Sequence, residues 1–389
     1  MVEWKRLDEV FDLRNGYTPS KSHPENWDGG TIPWFRMEDI RQNGNILTDS
    51  IQHITPLGIK KSGLFPANTI IVATTATIGE HALLIADSLA NQRFTALTRR
   101  KSLMQSVVTR FAYYYCFLLD EWCKQHINVS GFASVDMEGF KQFPFPIPSL
   151  SEQNRIVGIL DTFTDSIENL KQQIAQRRKQ YEFYRDQLLD LEGKEGVEMK
   201  SLIDVLEQPI TDGPHESPKF YDEGIPFISA DAIVNNKIDF KRKRGYISEE
   251  YDLQCRKKYE PQLHDIYMVK SGSTTGKVAI VKTDKRFNIW SPLAAIRVNS
   301  KNDPMFIFYS LQIKNIQDQV KLKCSKGSQP NLSMRVLEKF SLPIPSLSEQ
   351  QRIVSILDTF EASISNLEAQ LAQRQKQYEY YRNKLLTFE

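Results

Sequence analysis

Pro146-Ile-Pro-Ser-Leu-Ser-Glu-Gln153 returns as Pro343-Ile-Pro-Ser-Leu-Ser-Glu-Gln350. The match runs on to Glu192 and Glu389, with 33 of the 47 aligned positions identical, far above chance. A fainter echo opens each half, where Val2-Glu-Trp-Lys-Arg-Leu-Asp-Glu-Val10 parallels Val197-Glu-Met-Lys-Ser-Leu-Ile-Asp-Val205. The 389-residue chain is thus two halves, each a variable block followed by a near-identical block. Two long repeats, unlike a series of short ones, imply pseudo-two-fold symmetry and not a solenoid.

Each near-identical block predicts one long helix. Pro148 and Pro345 precede it, and Ser149 with Glu152, like Ser346 with Glu349, has the spacing of a capping box. Leu160, Ile167, Ile174, Tyr181 and Leu188 then recur every seven residues, interleaved with Phe163, Leu170, Arg177, Tyr184 and Leu191. The second copy keeps the seam as Leu357, Ile364, Leu371, Tyr378 and Leu385 with Phe360, Leu367, Arg374, Tyr381 and Phe388. About 40 residues at roughly 1.5 Å each make a rod of about 60 Å, too long to be buried in one half. Such a seam serves dimerisation between molecules or pairing within one; here both strands sit in one chain, and antiparallel packing of the two rods is expected. Arg177 and Arg374 interrupt the seam at matching places, as snorkelling edge residues or as register markers.

The variable blocks alternate short strand-like runs with turns. The first offers strands at 31–36, 68–74 and 93–98 and an aromatic-rich helix near 109–123. The second offers strands at 224–229, 265–269, 277–281 and 294–298 and a helix near 304–324. The order of elements agrees although the residues mostly differ, the expectation for one fold carrying two surfaces.

Composition is that of a folded protein, 40% hydrophobic and 25% charged. No apolar run reaches the roughly 18 residues of a membrane span and no signal peptide is apparent, so a cytoplasmic protein is expected. Cys116, Cys123, Cys255 and Cys324 form no C-x-x-C pair, and the six histidines never fall at i, i+3 or i+4 from one another, so neither disulfides nor a metal site is expected. Gly272-Ser-Thr-Thr-Gly-Lys277 lacks one residue of a phosphate-binding loop, and Val278 stands where a magnesium-holding Ser or Thr belongs. With no dinucleotide turn, nucleophile elbow or methyltransferase signature, the chain reads as a binding protein and not an enzyme. Charge separates the blocks: the first nets roughly zero, the second roughly +5. The excess lies in Lys241-Arg-Lys-Arg244, Arg256-Lys-Lys258, Lys321, Lys323 and Lys326, which are either solvated faces or contacts to DNA phosphates.

Two variable blocks, each closed by a Pro-Ile-Pro-Ser-Leu-Ser-Glu-Gln-x-Arg-Ile-Val helix start and a heptad rod, resemble the specificity subunit of type I restriction-modification systems over essentially the whole chain. Gly16-Tyr-Thr-Pro-Ser20 is similar to an early turn of that family, Thr211-Asp-Gly-Pro-His215 to its alternative form, and the 271–277 segment to a recurrent family turn. The resemblance implies an α+β fold: two target-recognition domains of mixed α/β structure, residues 1–145 and 196–342, separated by an antiparallel pair of long coiled-coil helices, 146–195 and 343–389. It also implies a non-catalytic subunit that reads a bipartite, asymmetric double-stranded DNA site. The paired helices would fix the gap and dock two methyltransferase (modification) subunits and, through them, restriction subunits. No cofactor is expected on this chain; S-adenosylmethionine would belong to the modification subunits, ATP and magnesium to the restriction subunits. A target adenine would flip into the partner, since this chain has no pocket signature for it. A coiled-coil protein-binding scaffold and the specificity module of a related restriction system are the alternatives.

DNA contacts are expected from polar and basic side chains in turns. In the first block these are Tyr17, Ser20, Lys21, Arg36, Thr74, Thr75, Gln92 and Arg93. In the second they are His215, Lys219, Lys241, Arg242, Lys243, Arg244, Ser273, Thr274, Lys277 and Asn331.

Overall fold

The computed structural model describes residues 2–128, 133–325 and 330–388; Lys326 of the basic excess lies outside them. The chain forms two compact units, Met1–Lys171 with Gln370–Glu389, and Gln172–Ala369.

In the first unit the opening echo meets the repeated proline segment: Glu3–Arg6 pairs antiparallel with Pro144–Ile147, Trp4 opposite Pro146. Prolines fit this ribbon because each strand has a single neighbour, leaving one edge without a ladder to donate to. The main sheet runs in the order Phe11–Asn15, Phe94–Arg99, Thr69–Ala73, His81–Leu84, Ile46–Leu47. A second sheet joins His53–Ile54, Ile32–Phe35 and Leu89–Ala90. The continuous apolar run of Thr69–Ala73 follows from burial on both faces. Ile70 and Val72 pack towards helix Thr109–Gln125, while Ile71 and Ala73 pack with Phe35, Phe65 and Phe94.

The second unit repeats the plan. Glu198–Ser201 pairs with Ser341–Ile344, Met199 opposite Pro343. The main sheet orders Thr211–Asp212, Leu293–Ile296, Ile266–Val269, Val278–Ile280, and a second joins Gly245–Ile247, Ile225–Ile228 and Asn288–Ile289. Ile266 and Met268 face one core, Tyr267 and Val269 the other. The single helix expected near 304–324 is instead two, Pro304–Ser310 and Lys314–Lys323. The break is held by side chains bonded to the backbone: Gln312 donates to the Phe308 carbonyl and Gln317 to that of Leu311.

The long helices are Leu150–Leu188 and Leu347–Leu386, so the proline segments at 146–147 and 343–344 are strand, and Leu191 and Phe388 lie beyond the helix ends. Within the first unit, the start of one helix runs antiparallel to the end of the other. Phe163 stacks on Tyr381 at 5.4 Å and 26°, and Leu160 shares a core with Leu386. Within the second unit Tyr184 stacks on Phe360 at 5.4 Å and 28°. Leu160, Leu170, Ile174, Tyr181 and Leu357 are buried. Ile167, Ile364, Leu367, Leu371 and Tyr378 are half-buried, and Tyr184 and Tyr381 are exposed.

At the helix C-termini the buried position is Leu189 and not Leu188, and Leu386 and not Leu385. A straight helix drifts about 20° per heptad from a strict seven-residue repeat, so four heptads displace the stripe by nearly one residue. Nor is each rod's only partner the other rod. Ile156 and Leu160 enter the core of the first block, Ile353 and Leu357 that of the second. Arg177 and Arg374 lie over Phe360 and Phe163, 5.9 and 5.6 Å from the ring centroids, within cation–π range.

Candidate nucleic-acid interface

The strand ends of the first unit gather most of its expected contacts at one place. The chain leaves Phe11–Asn15 through Gly16, where an added Cβ would stand 2.3 Å from the carbonyl oxygens of Ala90 and Asn91; only glycine permits that approach. Tyr17 N–H donates to the Ala90 carbonyl, Trp34 Nε1–H to the Tyr17 carbonyl, and Thr74 N–H to the Arg93 carbonyl. Thr18, absent from the expected set, donates its hydroxyl to Gln92 Oε1 at 2.6 Å. Tyr17, Arg36, Thr74, Gln92 and Arg93 therefore share one end of the sheets, Arg36 lying over the Trp34 ring.

Their exposures differ. Gln92 and Arg93 are exposed, as are Ser20 and Lys21 further along the loop, where the Ser20 carbonyl accepts from Asn26 and Trp27. Thr74 is buried, its hydroxyl 2.9 Å from that of Thr95. The Tyr17 hydroxyl accepts from Lys60 N–H at 2.7 Å, and Thr75 is bridged to Ser134.

The second unit builds the same end with other side chains. Gly213 stands 197 positions after Gly16, the offset of the repeat, and its Cβ would lie 1.9 Å from the Ile289 carbonyl oxygen. Ser291 N–H donates to the Pro214 carbonyl, Lys270 N–H to that of Pro292, and Leu332 N–H to that of Lys270. Ser271 bridges Asn331. Residues 271–277 turn the chain between antiparallel strands Ile266–Val269 and Val278–Ile280, with Gly272 and Gly276 at φ 95°. Because a strand follows Lys277 where a phosphate-binding loop has a helix, this is a hairpin turn. His215, Ser273, Thr274, Lys277 and Asn331 thus come from turns at this end of the unit.

The basic run is less uniform than its sequence. Arg242 is 3.5 Å from Asp239, and Arg244 is 3.6 Å from Asp231 and lies over Trp290, while Lys243 and Lys219 lie over Tyr246 and Tyr221. Lys241 is exposed in the middle of the short helix Phe240–Arg242.

Sequence reasoning passed over the buried carboxylate of Asp212, one residue before the critical glycine. Lys258 contacts its Oδ1, while Lys270 Nζ and His215 Nε2 each lie 3.2 Å from Oδ2, at ion-pair distance without aligned hydrogen bonds. Burial alone would raise this carboxyl's pKa; the ammonium groups of Lys258 and Lys270 outweigh it and hold it below the usual carboxylate range. Its sequence signal is an acid inside the 211–215 turn of a basic block.

The two glutamines of the repeated motif were also missed as functional parts. Gln153 is buried: its Nε2 donates to the Ser106 and Pro148 carbonyls, and its Oε1 accepts from Val108 N–H. Gln350 donates to the Pro345 carbonyl and Asn302 Oδ1 and accepts from Asp303 N–H. Each ties a helix start to its own block. Ser149 and Ser346 accept from the N–H groups of Glu152 and Glu349, but those carboxylates turn to Arg155 and Arg352, leaving the capping box half-made. Tyr114 donates to Asp161 as Tyr309 donates to Asp358, fastening an aromatic helix to the rod in each unit.

Among the described residues no group of three His, Cys, Asp or Glu is placed to hold a metal ion, and no helix is long and apolar enough to cross a membrane.

A sequence family described as the type I restriction modification DNA specificity domain matches residues 1–177 and again 194–375. The chain is 36% identical to the type I restriction enzyme EcoprrI specificity subunit of Escherichia coli, over 94% of this chain and 89% of that one. It is 26% identical to the type I restriction enzyme MjaIX specificity subunit of Methanocaldococcus jannaschii, over 93% and 87%. The S subunit of a type I restriction-modification system from M. genitalium aligns with a TM-score of 0.56 at 16% identity, covering 100% of this chain and 97% of that. A chain from work on complex assembly and conformational transition of the type I R-M system aligns at 0.62 and 18% identity, covering 99% and 96%. At these identities the solved structures speak for the fold.

Proposed function

We propose, from the premise that the chain belongs to the family of type I restriction-modification DNA specificity subunits, that each variable block reads one half of a bipartite, asymmetric DNA sequence. A specificity subunit is not itself the enzyme of its complex. The observation that carries the two-reader proposal is the pair Gly16 and Gly213. One backbone frame, set by close approach of a glycine to a facing strand end, presents Gln92 and Arg93 in one block and His215, Thr274 and Lys277 in the other. Equal frames with unequal side chains suit two different half-sites, since base edges are read by side-chain donors and acceptors.

The long helices supply the gap and the docking surface. Two half-sites must be held at a fixed separation and phase, and helices of 39 and 40 residues have the stiffness for it. The stack of Phe163 with Tyr381 beside Arg374 recurs as Phe360 with Tyr184 beside Arg177, so a surface made twice suits two copies of one partner. That partner is the methyltransferase subunit, which carries S-adenosylmethionine and receives the flipped adenine. Restriction subunits, with ATP and magnesium, join through it, and the complex works in the bacterial or archaeal cytoplasm.

The test is an exchange of residues 1–145 for the corresponding block of another family member, followed by methylome sequencing. One half of the methylated sequence should change and the other persist. A change in both halves would refute independent reading.

A further inference from the structure

The strand-end place that holds Asn15 in the first unit holds Asp212 in the second. Register fixes the equivalence: Asn15 is opposite Thr95 and Asp212 opposite Ala294, and across the next ladder stand Val72 and Met268. Two residues further on, Thr74 and Lys270 occupy matching places. In the first unit the network is neutral. Thr95 donates its one hydroxyl proton to Asn15 Oδ1 at 3.0 Å, so the 2.9 Å contact with Thr74 is donated by Thr74. In the second unit the same place is ionic, a carboxylate only 2% exposed, met by Lys258, Lys270 and His215.

We propose that Asp212 is a positioning residue that holds Lys258 and His215 ready for a DNA phosphate at the tip of the second block. The three basic side chains are unequally placed. The Lys270 side chain is 13% exposed and acts as an inner strut, whereas Lys258 is 51% and His215 71% exposed. The backbone beside Lys258 is fixed as well, because Tyr259 is buried and donates its hydroxyl to Asp265 at 2.6 Å. A free lysine loses rotamer freedom when it meets a phosphate; a lysine already held by a buried carboxylate has lost it beforehand. One carboxylate facing two ammonium groups and an imidazole leaves net positive charge beside the Gly213 turn, and a multi-acceptor anion is the complement. The first block, with its neutral network, lacks this anchor, in keeping with its charge of roughly zero.

This inference rests on the DNA-recognition reading. The test uses the full chain assembled with its modification subunits, a duplex carrying the sequence that the wild-type complex methylates, a scrambled duplex, and a salt titration. Asp212→Asn removes a negative charge, so bulk electrostatics alone predicts tighter binding and no loss of salt dependence. Positioning predicts the opposite sign: binding to the methylated sequence weakened roughly tenfold, and a salt slope flatter by about one. Lys258→Ala should do the same, and the double variant should be no worse than either single one. Tighter binding by Asp212→Asn, an unchanged slope, or additive losses would overturn the proposal. Should Asp212→Asn fail to fold, half-exposed Lys258 still decides, since an unchanged slope in Lys258→Ala is equally fatal. If the wild-type complex does not prefer the methylated sequence over the scrambled one, the recognition reading itself falls, and this inference with it.

Discussion

Gly16 is pressed so closely on Ala90 that a single methyl group at Gly16 would sit 2.3 Å from the Ala90 carbonyl oxygen. Gly213 stands in the same relation to Ile289, at 1.9 Å. Neither glycine has a positive φ, so the constraint is space and not backbone conformation. Gly16→Ala and Gly213→Ala should each force two backbone segments apart, at about 1–3 kcal/mol for overpacking. Denaturant titration should give a lower midpoint, and methylome sequencing should show the first variant impaired on one half-site and the second on the other. An unchanged midpoint would mean that the turn relaxes without effect.

Gln153→Leu and Gln350→Leu keep side-chain bulk but strand the groups these glutamines satisfy. For Gln153 those are the Val108 N–H and the carbonyls of Ser106 and Pro148. Leaving such groups unsatisfied costs about 1–3 kcal/mol. Each variant should melt earlier, and hydrogen exchange should rise first at the helix start next to the substitution. Protection lost uniformly over the chain would argue against a local clamp.

Asp212 sets an acid limit on the second unit. Its pKa is lowered on folding because the stabilising ammonium contacts outweigh the burial penalty. A carboxyl depressed in the folded state contributes stability above its unfolded value, about 3.9, and loses it as pH falls through the lower folded value. Wild-type stability should therefore drop relative to that of Asp212→Asn below about pH 4. A constant difference down to pH 2 would show that the carboxyl is not depressed.

The repeat made the plan legible, because a heptad seam and a doubled proline segment are patterns in residue order alone. Expected strands at 68–74 and 93–98 are found as Thr69–Ala73 and Phe94–Arg99, since strands buried on both faces read as unbroken apolar runs. What escaped was tertiary. Nothing in residue order says that Gln312 turns back on the Phe308 carbonyl and helps split a helix, or that the seam drifts from Leu385 to Leu386. Thr74 and Gln92 look alike as turn residues, yet one hydroxyl is turned inward onto Thr95 and the other side chain faces out. Asp212 escaped because attention to basic runs passes over the acid that organises them.

Replacing Lys241, Arg242, Lys243 and Arg244 with Ala should weaken the assembled complex on methylated and unrelated sequences alike. Phosphate contacts carry counterion release but little base information. Arg242 and Arg244 are partly spent on Asp239 and Asp231, so the salt slope should flatten by fewer than four contacts' worth, at about 0.9 each. Binding and slope both unchanged would make the run a solvated face.

If the long helices set the gap, lengthening both should lengthen it. One heptad inserted after Ile174 and another after Leu371 keeps the apolar seam and adds roughly 10 Å of helix to each rod. At about 3.4 Å per base pair this allows at most three extra pairs, and fewer if the helices are inclined to the DNA. Each added pair also rotates the second half-site by about 35°, so a gap longer by one to three pairs is expected, with both half-sites unchanged. Insertion into one rod only should break the pairing of Phe163 with Tyr381 or of Tyr184 with Phe360 and lower the melting temperature. Methylome sequencing of the double insertion decides. A folded, active variant that keeps the original gap would mean that spacing is set by the partner subunits and not by these helices.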